Sequence, residues 1–477
     1  MILVLLLAVP LVTAAVLVRA RGRAAAVAHG LGVVFTLGAA AAVAAAVARD
    51  DSVTAVDGLL RADALSAWMV ALIGLVAALA GAEAPRQAPL GAGGRFYPLL
   101  HLFTFTMLLA VTTDDVGLMW VAIEGTTLAS VFLVNFERSR AALEASYKYL
   151  LICSVGVAIA FVGTVLVYFT DVQRFGHEPH ALRWTTLLRL APELGPRVLE
   201  LAFVFLLVGY GTKAGLAPMH TWLPDAHSEA PAPVSALMSG VLLGVGLYAV
   251  LRFKAVVDLA TGQAFGSRLL VGLGLASLAV AAAFLWSPRN YKRMLAYSSV
   301  EHLGVACLGI AFGGPWGLGG ALLHLANHAL AKSVLFLLSG RIRAAYGSAD
   351  IGAVSGLVAV MPFTGRAFVV AMLALMGLPP FGLFVSEVMV FRAGFEEGWG
   401  LAAATGLGLL VVAFAGLLRA AHRMAYGAPA ASTAVRREAW QASLPIVAAL
   451  ALLVATGVAW PPGLAAALGH AVAALAP

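Results

Sequence analysis

The apolar stretches of this chain are long and unbroken, and that property alone removes most folds from consideration. A helix needs about 20 apolar residues to cross the hydrocarbon core of a bilayer, whereas a membrane barrel strand reads as about ten residues of alternating polarity. Runs such as residues 2–18 and 201–217 fit the first pattern and not the second. With 62% hydrophobic and 11% charged residues and a mean hydropathy of +0.95, a soluble core of this size is excluded. The expected fold is all-α and polytopic, with about fourteen transmembrane helices starting near residues 2, 25, 64, 97, 116, 147, 199, 234, 267, 299, 317, 363, 402 and 443. The seventh and twelfth are broken by glycine and proline, at Gly215-Leu-Ala-Pro218 and Gly377-Leu-Pro-Pro380. No basic stretch precedes residues 2–18 and no clear cleavage site follows, so they read as a retained span rather than a signal peptide.

The charges sort by side. Seventeen basic residues, from Arg19 to Arg437 and including Lys292, Arg293 and Arg436, fall in one set of loops. Ten, including Arg252, Lys254 and Arg392, fall in the other, which also holds Asp114, Asp115, Glu396 and Glu397. The positive-inside rule makes the richer set cytoplasmic and puts both termini outside. Basic loops explain the net charge of +7 without nucleic acid. Cys153 and Cys307 are the only cysteines, too few for an iron–sulfur cluster or structural zinc.

Lys148, Lys213 and Lys332 remain, all inside predicted spans. A positive charge within a membrane helix costs about 3 kcal/mol on insertion scales, so it persists where it faces protein or a polar path and reads as functional. Lys213 has the added feature of a helix break beside it, which frees backbone groups that only a cavity or packed protein can satisfy. Glu124, in Trp120-Val-Ala-Ile-Glu-Gly125, needs a counter-charge, and Lys213 and Lys148 are the candidates. A nearby carboxylate favours the ammonium and burial favours the neutral amine, so moving the carboxylate switches a lysine between holding and releasing a proton. A fixed buried pair is the structural alternative.

The ionisable residues recur. Glu124 to Glu301 is 177 residues, Lys148 to His324 is 176 and Lys213 to Glu387 is 174, which points to two inverted repeats of five helices. His324, His328 and Lys332 stand at i, i+4 and i+8 and share a helix face. They read as a hydrogen-bonded relay, continued to an exit at Glu387. A zinc pair or haem ligation are rivals, but no third ligand is evident beside His324 and His328, and the remaining histidines are mostly in loops. The expected organisation is residues 1–96 as three N-terminal helices, 97–258 and 259–425 as the repeats, and 426–477 as a C-terminal helix and tail.

The stretch Pro218-Met-His-Thr-Trp-Leu-Pro-Asp-Ala-His-Ser-Glu-Ala-Pro-Ala-Pro-Val-Ser-Ala-Leu237 closely resembles the antiporter-like, proton-translocating membrane subunits of respiratory complex I, Mrp sodium/proton antiporters and group 4 membrane-bound hydrogenases. So do Arg293-Met-Leu-Ala-Tyr-Ser-Ser299, His324-Leu-Ala-Asn-His-Ala-Leu-Ala-Lys332, Leu378-Pro-Pro-Phe-Gly382 and Ser386-Glu387, over roughly residues 55 to 425. The resemblance implies fourteen helices with two inverted five-helix repeats. It also implies roles for Glu124 on the fifth helix, Lys148 on the sixth, Lys213 on the seventh, His328 on the eleventh and Glu387 on the twelfth. His220, Asp225 and His227 lie in the shared motif and count as secondary relay residues, with Ser239, Glu301 and His302. Ser239 stands where many relatives have a histidine, so the middle of the route must use hydroxyls or water here. Glu301-His302 and His227-Ser-Glu-Ala-Pro-Ala-Pro look like the hydrogenase-4 F-type branch, and with only about seventeen residues after the last span no long lateral helix of the kind on the distal complex I subunit is expected.

The expected function is therefore proton translocation, driven by redox chemistry in partner membrane subunits, in a bacterial or archaeal cytoplasmic membrane. The chain itself carries no flavin, nickel or cluster motif and is expected to bind no cofactor and no metal. A sodium/proton antiporter subunit and an ion-coupled partner of a bicarbonate-accumulating complex are the alternatives, with sodium as the alternative ion. An inert scaffold is disfavoured, because inert spans rarely hold three lysines and three carboxylates.

Overall fold

In this computed structural model the described residues are 1–87, 94–176, 181–428, 438, 443–460 and 462–475. The chain runs α1 (Ile2–Arg19), α2 (Gly22–Asp50), β1 (Ser52–Ala55), β2 (Leu60–Asp63), α3 (Ala64–Gln87), α4 (Phe96–Thr112), α5 (Val116–Val134), α6 (Arg140–Phe175) and α7 (Trp184–Leu190). It continues through α8 (Pro196–Ala214), α9 (Trp222–Glu229), α10 (Ala232–Leu237), α11 (Leu243–Thr261), α12 (Gln263–Leu285), α13 (Tyr291–Phe312) and α14 (Gly314–Tyr346). The last elements are α15 (Leu357–Val360), α16 (Pro362–Leu375), α17 (Gly382–Glu396), α18 (Gly400–Ala425), α19 (Leu444–Val458) and α20 (Pro462–Ala473). Among the described residues ten helices are long and apolar enough to cross a membrane, or eleven if the bent pair α19 and α20 counts as one. Length and composition alone thus support fewer spans than the fourteen expected. The segment from α10 to α11, with α13 and α14, forms the buried centre, whereas α1, α2 and α18 lie at the periphery.

Helices occupy the expected positions with two shifted starts. The sixth predicted helix begins at Arg140 and the tenth at Tyr291, each two turns early. Their first turns carry Arg140, Glu144 and Lys148, or Lys292 and Arg293, charges that end an apolar run without ending a helix. Arg252 and Lys254, expected in a loop, lie buried in α11, and Lys292 is buried in α13. Removing them from the two sets read from the sequence leaves sixteen basic residues against eight, so the numerical bias is kept. Arg436 and Arg437 lie outside the described residues.

Both predicted breaks form, and by the same motif. At the end of α8 the N–H of Leu216 reaches Gly211 O at 2.9 Å and that of Gly215 reaches Thr212 O at 3.1 Å. At the end of α16 the N–H of Leu378 reaches Leu373 O at 3.3 Å and that of Gly377 reaches Ala374 O at 3.2 Å. Each needs a left-handed residue, supplied by Gly215 at φ 75° and Gly377 at φ 64°, and the prolines that follow prevent the helix from resuming. Beside the first break α6 and α8 touch backbone to backbone: a Cβ on Gly209 would lie 2.5 Å from Gly156 O. A third irregularity is a turn of π-helix, Met238–Leu242, inside the buried α10–α11 segment. It contains Ser239, and such turns recur at functional sites.

A short antiparallel hairpin of β1 and β2 joins α2 to α3, pairing Ser52 with Asp63 and Ala55 with Leu60. Arg252 clamps it to the bundle, donating to Asp63 Oδ1 at 2.6 Å and Oδ2 at 2.8 Å while stacking on Trp184 at 4.2 Å. Burial opposes ionisation of Asp63, but the Arg252 charge and hydrogen bonds outweigh it and hold the carboxyl well below the usual carboxylate range. A folded-state value below the unfolded one stabilises above the unfolded pKa of about 4, and the benefit is lost as acid protonates the group. Arg252→Ala should cost about 3 kcal/mol, the cost of stranding one member of a buried pair. Thermal unfolding in detergent would show it as a lowered midpoint, and an unchanged midpoint would remove the clamp from the account.

Candidate functional site

Lys213 is fully buried on the last turn of α8. Its Nζ donates to Thr127 Oγ1 at 2.8 Å and to Tyr149 Oη at 3.0 Å, and it lies 5.0 Å from the centre of the Tyr149 ring. Trp222, from the far side of the break, lies tilted against Tyr149 with ring centres 4.8 Å apart and donates at 2.9 Å to the carbonyl of Thr212, which also accepts from Gly215. The break therefore builds the wall of the lysine pocket. Glu124 does not touch Lys213. Its Oε1 accepts from Ser154 at 2.6 Å and its Oε2 from Thr127 at 3.4 Å, so Thr127 bridges lysine and carboxylate. Glu124, Thr127 and Ser130 follow each other at i+3 on α5, and Ser130 Oγ meets Tyr149 Oη at 2.7 Å.

In the second half, α13, α14 and α17 bring three imidazoles and two carboxylates together. His302 Nδ1 and His324 Nε2 are 3.0 Å apart, and His324 Nδ1 lies 2.9 Å from Ser386 Oγ. The His302 and His328 ring centres are 5.1 Å apart, and His328 Nε2 donates to Ser239 O at 3.3 Å. Ser239 Oγ in turn pairs with Ser299 Oγ at 2.8 Å. Ser239 is thus in contact with α13 through its hydroxyl and with α14 through its carbonyl. Lys332, fully buried, donates to Leu295 O at 2.5 Å and to Ser298 Oγ, with Glu301 in electrostatic reach.

Several expectations are corrected by this geometry. The order His328, Lys332, Glu387 is not the order in space. Glu387 stands with His302 and His324, at the opposite end of the α14 row from Lys332. A third ligating group does accompany His324: ligating atoms of His302, His324 and Glu387 all lie within 4.8 Å of one another. His328 is not in that set. By number this trio could hold a metal ion, and within it His302 and His324 share a hydrogen bond. Lys148 is half-exposed and pairs with Glu144 at 2.6 Å and Asp225 at 3.2 Å, not with Glu124, because it sits only two turns into α6. Asp225 also binds Arg293 at 2.7 Å. His220 is buried with its ring 6.2 Å from that of Tyr297, and His227 stacks on Phe336 at 4.9 Å. Nor are the remaining histidines mostly in loops, since His29 of α2 and His101 of α4 are buried and paired at 3.0 Å.

Sequence reasoning missed Thr127, Tyr149, Ser298 and Lys292. The first three are hydroxyl residues of a kind common in apolar helices, and only the i+3 spacing from Glu124 marked one of them. The surroundings of Lys213 and the histidine cluster define a polytopic helical membrane protein with buried ionisable groups beside two broken helices, the architecture of an ion-translocating subunit. The signature of the NADH:quinone oxidoreductase/Mrp antiporter transmembrane family covers residues 113–413, and the chain belongs to that family. It is 38% identical over 369 residues, 77% of each chain, to a hydrogenase-4 component F homolog of Methylacidiphilum infernorum. In fold it matches a chain of the Mrp complex from Dietzia sp. DQ12-45-1b, with a TM-score of 0.87 at 23% identity over 99% of this chain and 97% of that one. A chain of respiratory complex I from Thermus thermophilus matches with a TM-score of 0.85 at 23% identity over 100% of this chain and 99% of that one.

Proposed function

We propose that the chain is the proton-translocating subunit of a multisubunit membrane oxidoreductase, hydrogenase-4-like or NADH:quinone oxidoreductase-like, and that redox chemistry in partner subunits drives it. The observation that carries this reading is the setting of Lys213, buried among hydroxyls and joined to Glu124 only through Thr127. A lysine locked to a carboxylate cannot readily change its charge; one held by two neutral hydroxyls can be either ammonium or amine. Movement of Glu124 toward or away from Thr127 would load or unload it. The second half would take the proton through Lys332, Glu301 and His328 to His302 and His324, and release it at Glu387. Ser239, in the π-helical turn that precedes α11, is the joint between that segment and the cluster.

In this reading the fold comprises fourteen spans, with residues 97–258 and 259–425 as inverted five-helix repeats, residues 1–96 and 426–477 flanking them and both termini outside a bacterial or archaeal cytoplasmic membrane. The shared break motif favours the repeat. The breaks are 162 residues apart against 174 to 177 for the charges, so Lys213 precedes its break while Glu387 follows the other. A sodium/proton antiporter is the competing function. Inverted vesicles of the native host, energised by the electron donor of the complex, should acidify in sodium-free medium. Glu387→Gln should slow them at least about tenfold, since a positioned proton acceptor contributes roughly 10²-fold or more. Acidification that requires sodium would favour the antiporter.

A further inference from the structure

Lys292, two residues into α13, is 2% exposed and donates to Ser228 O at 2.7 Å and Ala230 O at 2.8 Å, at the end of α9. An ammonium has three donors, so one N–H remains free. Lys332 spends two N–H donors on Leu295 O and Ser298 Oγ, so as a neutral amine it keeps its lone pair for an incoming proton. His227, 0% exposed in the last turn of α9, directly precedes Ser228, whose carbonyl Lys292 holds. Its carbonyl accepts from Ser235 at 3.2 Å, and its ring lies against Phe336, one turn beyond Lys332 on α14. Among the described residues neither of its ring nitrogens has a hydrogen-bond partner. Two unpaired nitrogens on a wholly buried imidazole are rare, because such groups are costly to leave unmade. The charges of both Lys332 and Lys292 act on this ring.

We propose that His227 and Lys292 form an inlet to the second half, carrying protons to Lys332 from the end of α13 beside Glu229. Lys292 gives up a proton toward one ring nitrogen, and His227 releases the proton held on the other nitrogen toward Lys332. Lys292 is then recharged from the side of Glu229 and of the Glu137–Arg343 pair, which is closed at 3.0 Å. No covalent bond other than N–H is made or broken. Among the described residues, the ionisable groups whose charges act on the ring are Lys292 from α13 and Lys332 and His328 from α14.

The inlet rests on the translocation reading above, and the test keeps the two apart. Lys292→Arg retains the charge and can still donate to both carbonyls, but a guanidinium does not release its proton. His227→Phe keeps a ring against Phe336 and removes both nitrogens. In energised inverted vesicles, with assembly verified by immunoblot of the purified complex, each variant should lower proton translocation at least about tenfold. If Lys292 merely caps α9, Lys292→Arg pumps at the wild-type rate and the proposal is overturned; wild-type pumping by His227→Phe overturns it equally. Should His227→Phe not accumulate, His227→Gln offers a donor and an acceptor without a relay, and wild-type pumping there has the same meaning. Lys213→Ala in the same vesicles separates the readings. If it is inactive while the inlet variants pump, only the inlet is lost; if it pumps, the wider reading fails.

Discussion

Lys213→Ala should bring ion translocation to background while the subunit remains inserted and assembled. The alanine removes the amine held among Thr127, Tyr149 and Trp222 and leaves the Gly215 cap and the α6–α8 contact untouched. Tyr149 keeps its hydrogen bond to Ser130, so the pocket retains polar pairing without a charge. Lys213→Arg sharpens the test, because it restores a cation that does not deprotonate. Both variants should fall by roughly 10²-fold or more, the contribution of a positioned proton-transfer group. Reconstituted pumping at the wild-type rate in either would remove the central role of this lysine.

At position 124, charge should matter more than shape. Glu124→Gln can still accept from Ser154 but loses the charge, and it should cripple pumping nearly as far as alanine. Glu124→Asp keeps the charge on a shorter arm and should retain part of the activity. The bridge adds a second comparison. Thr127→Val breaks the path between carboxylate and lysine, so its effect and that of Glu124→Gln should be far from additive, as expected for residues acting through one network. A fully active Glu124→Gln would end the idea of a switch, and strictly additive losses would place Glu124 outside the path from Lys213.

The fold class and the ionisable residues were legible because each is an anomaly against its background. A charged residue in an apolar run has few explanations, and glycine followed by proline in a helix has fewer. The partners of those charges were not legible. Thr127, Ser154, Ser298 and Ser386 bond their own helices as readily as a neighbour, so their sequence neighbourhood does not reveal which they serve. Lys292 was misplaced for a different reason: its apolar run begins only after Lys292 and Arg293, so a buried helical residue looked like a loop. Lys148 erred in the opposite sense, standing inside an apolar neighbourhood yet reaching outward to Asp225. Order along the second half was also hidden, because a row of residues on α14 gives their height but not which flanking helix each one meets.

Ser386 gives its own hydroxyl hydrogen to Leu383 O at 2.8 Å, so toward His324 it can only accept. His324 therefore carries its hydrogen on Nδ1 and turns a bare Nε2 to His302, whose Nδ1 must be the donor. In the proposed route this arrangement is a ratchet with a single tooth. A proton arriving at His302 Nε2 sends the Nδ1 hydrogen to His324 Nε2, the His324 Nδ1 hydrogen leaves past Ser386 toward Glu387, and each imidazole is left with its hydrogen on the opposite nitrogen. No second proton can follow in the same direction until both rings have turned back, and buried between α13, α14 and α17 they turn only when those helices loosen. The stroke of this half is then one ion per conformational cycle, fixed by tautomer rather than by the size of the gradient.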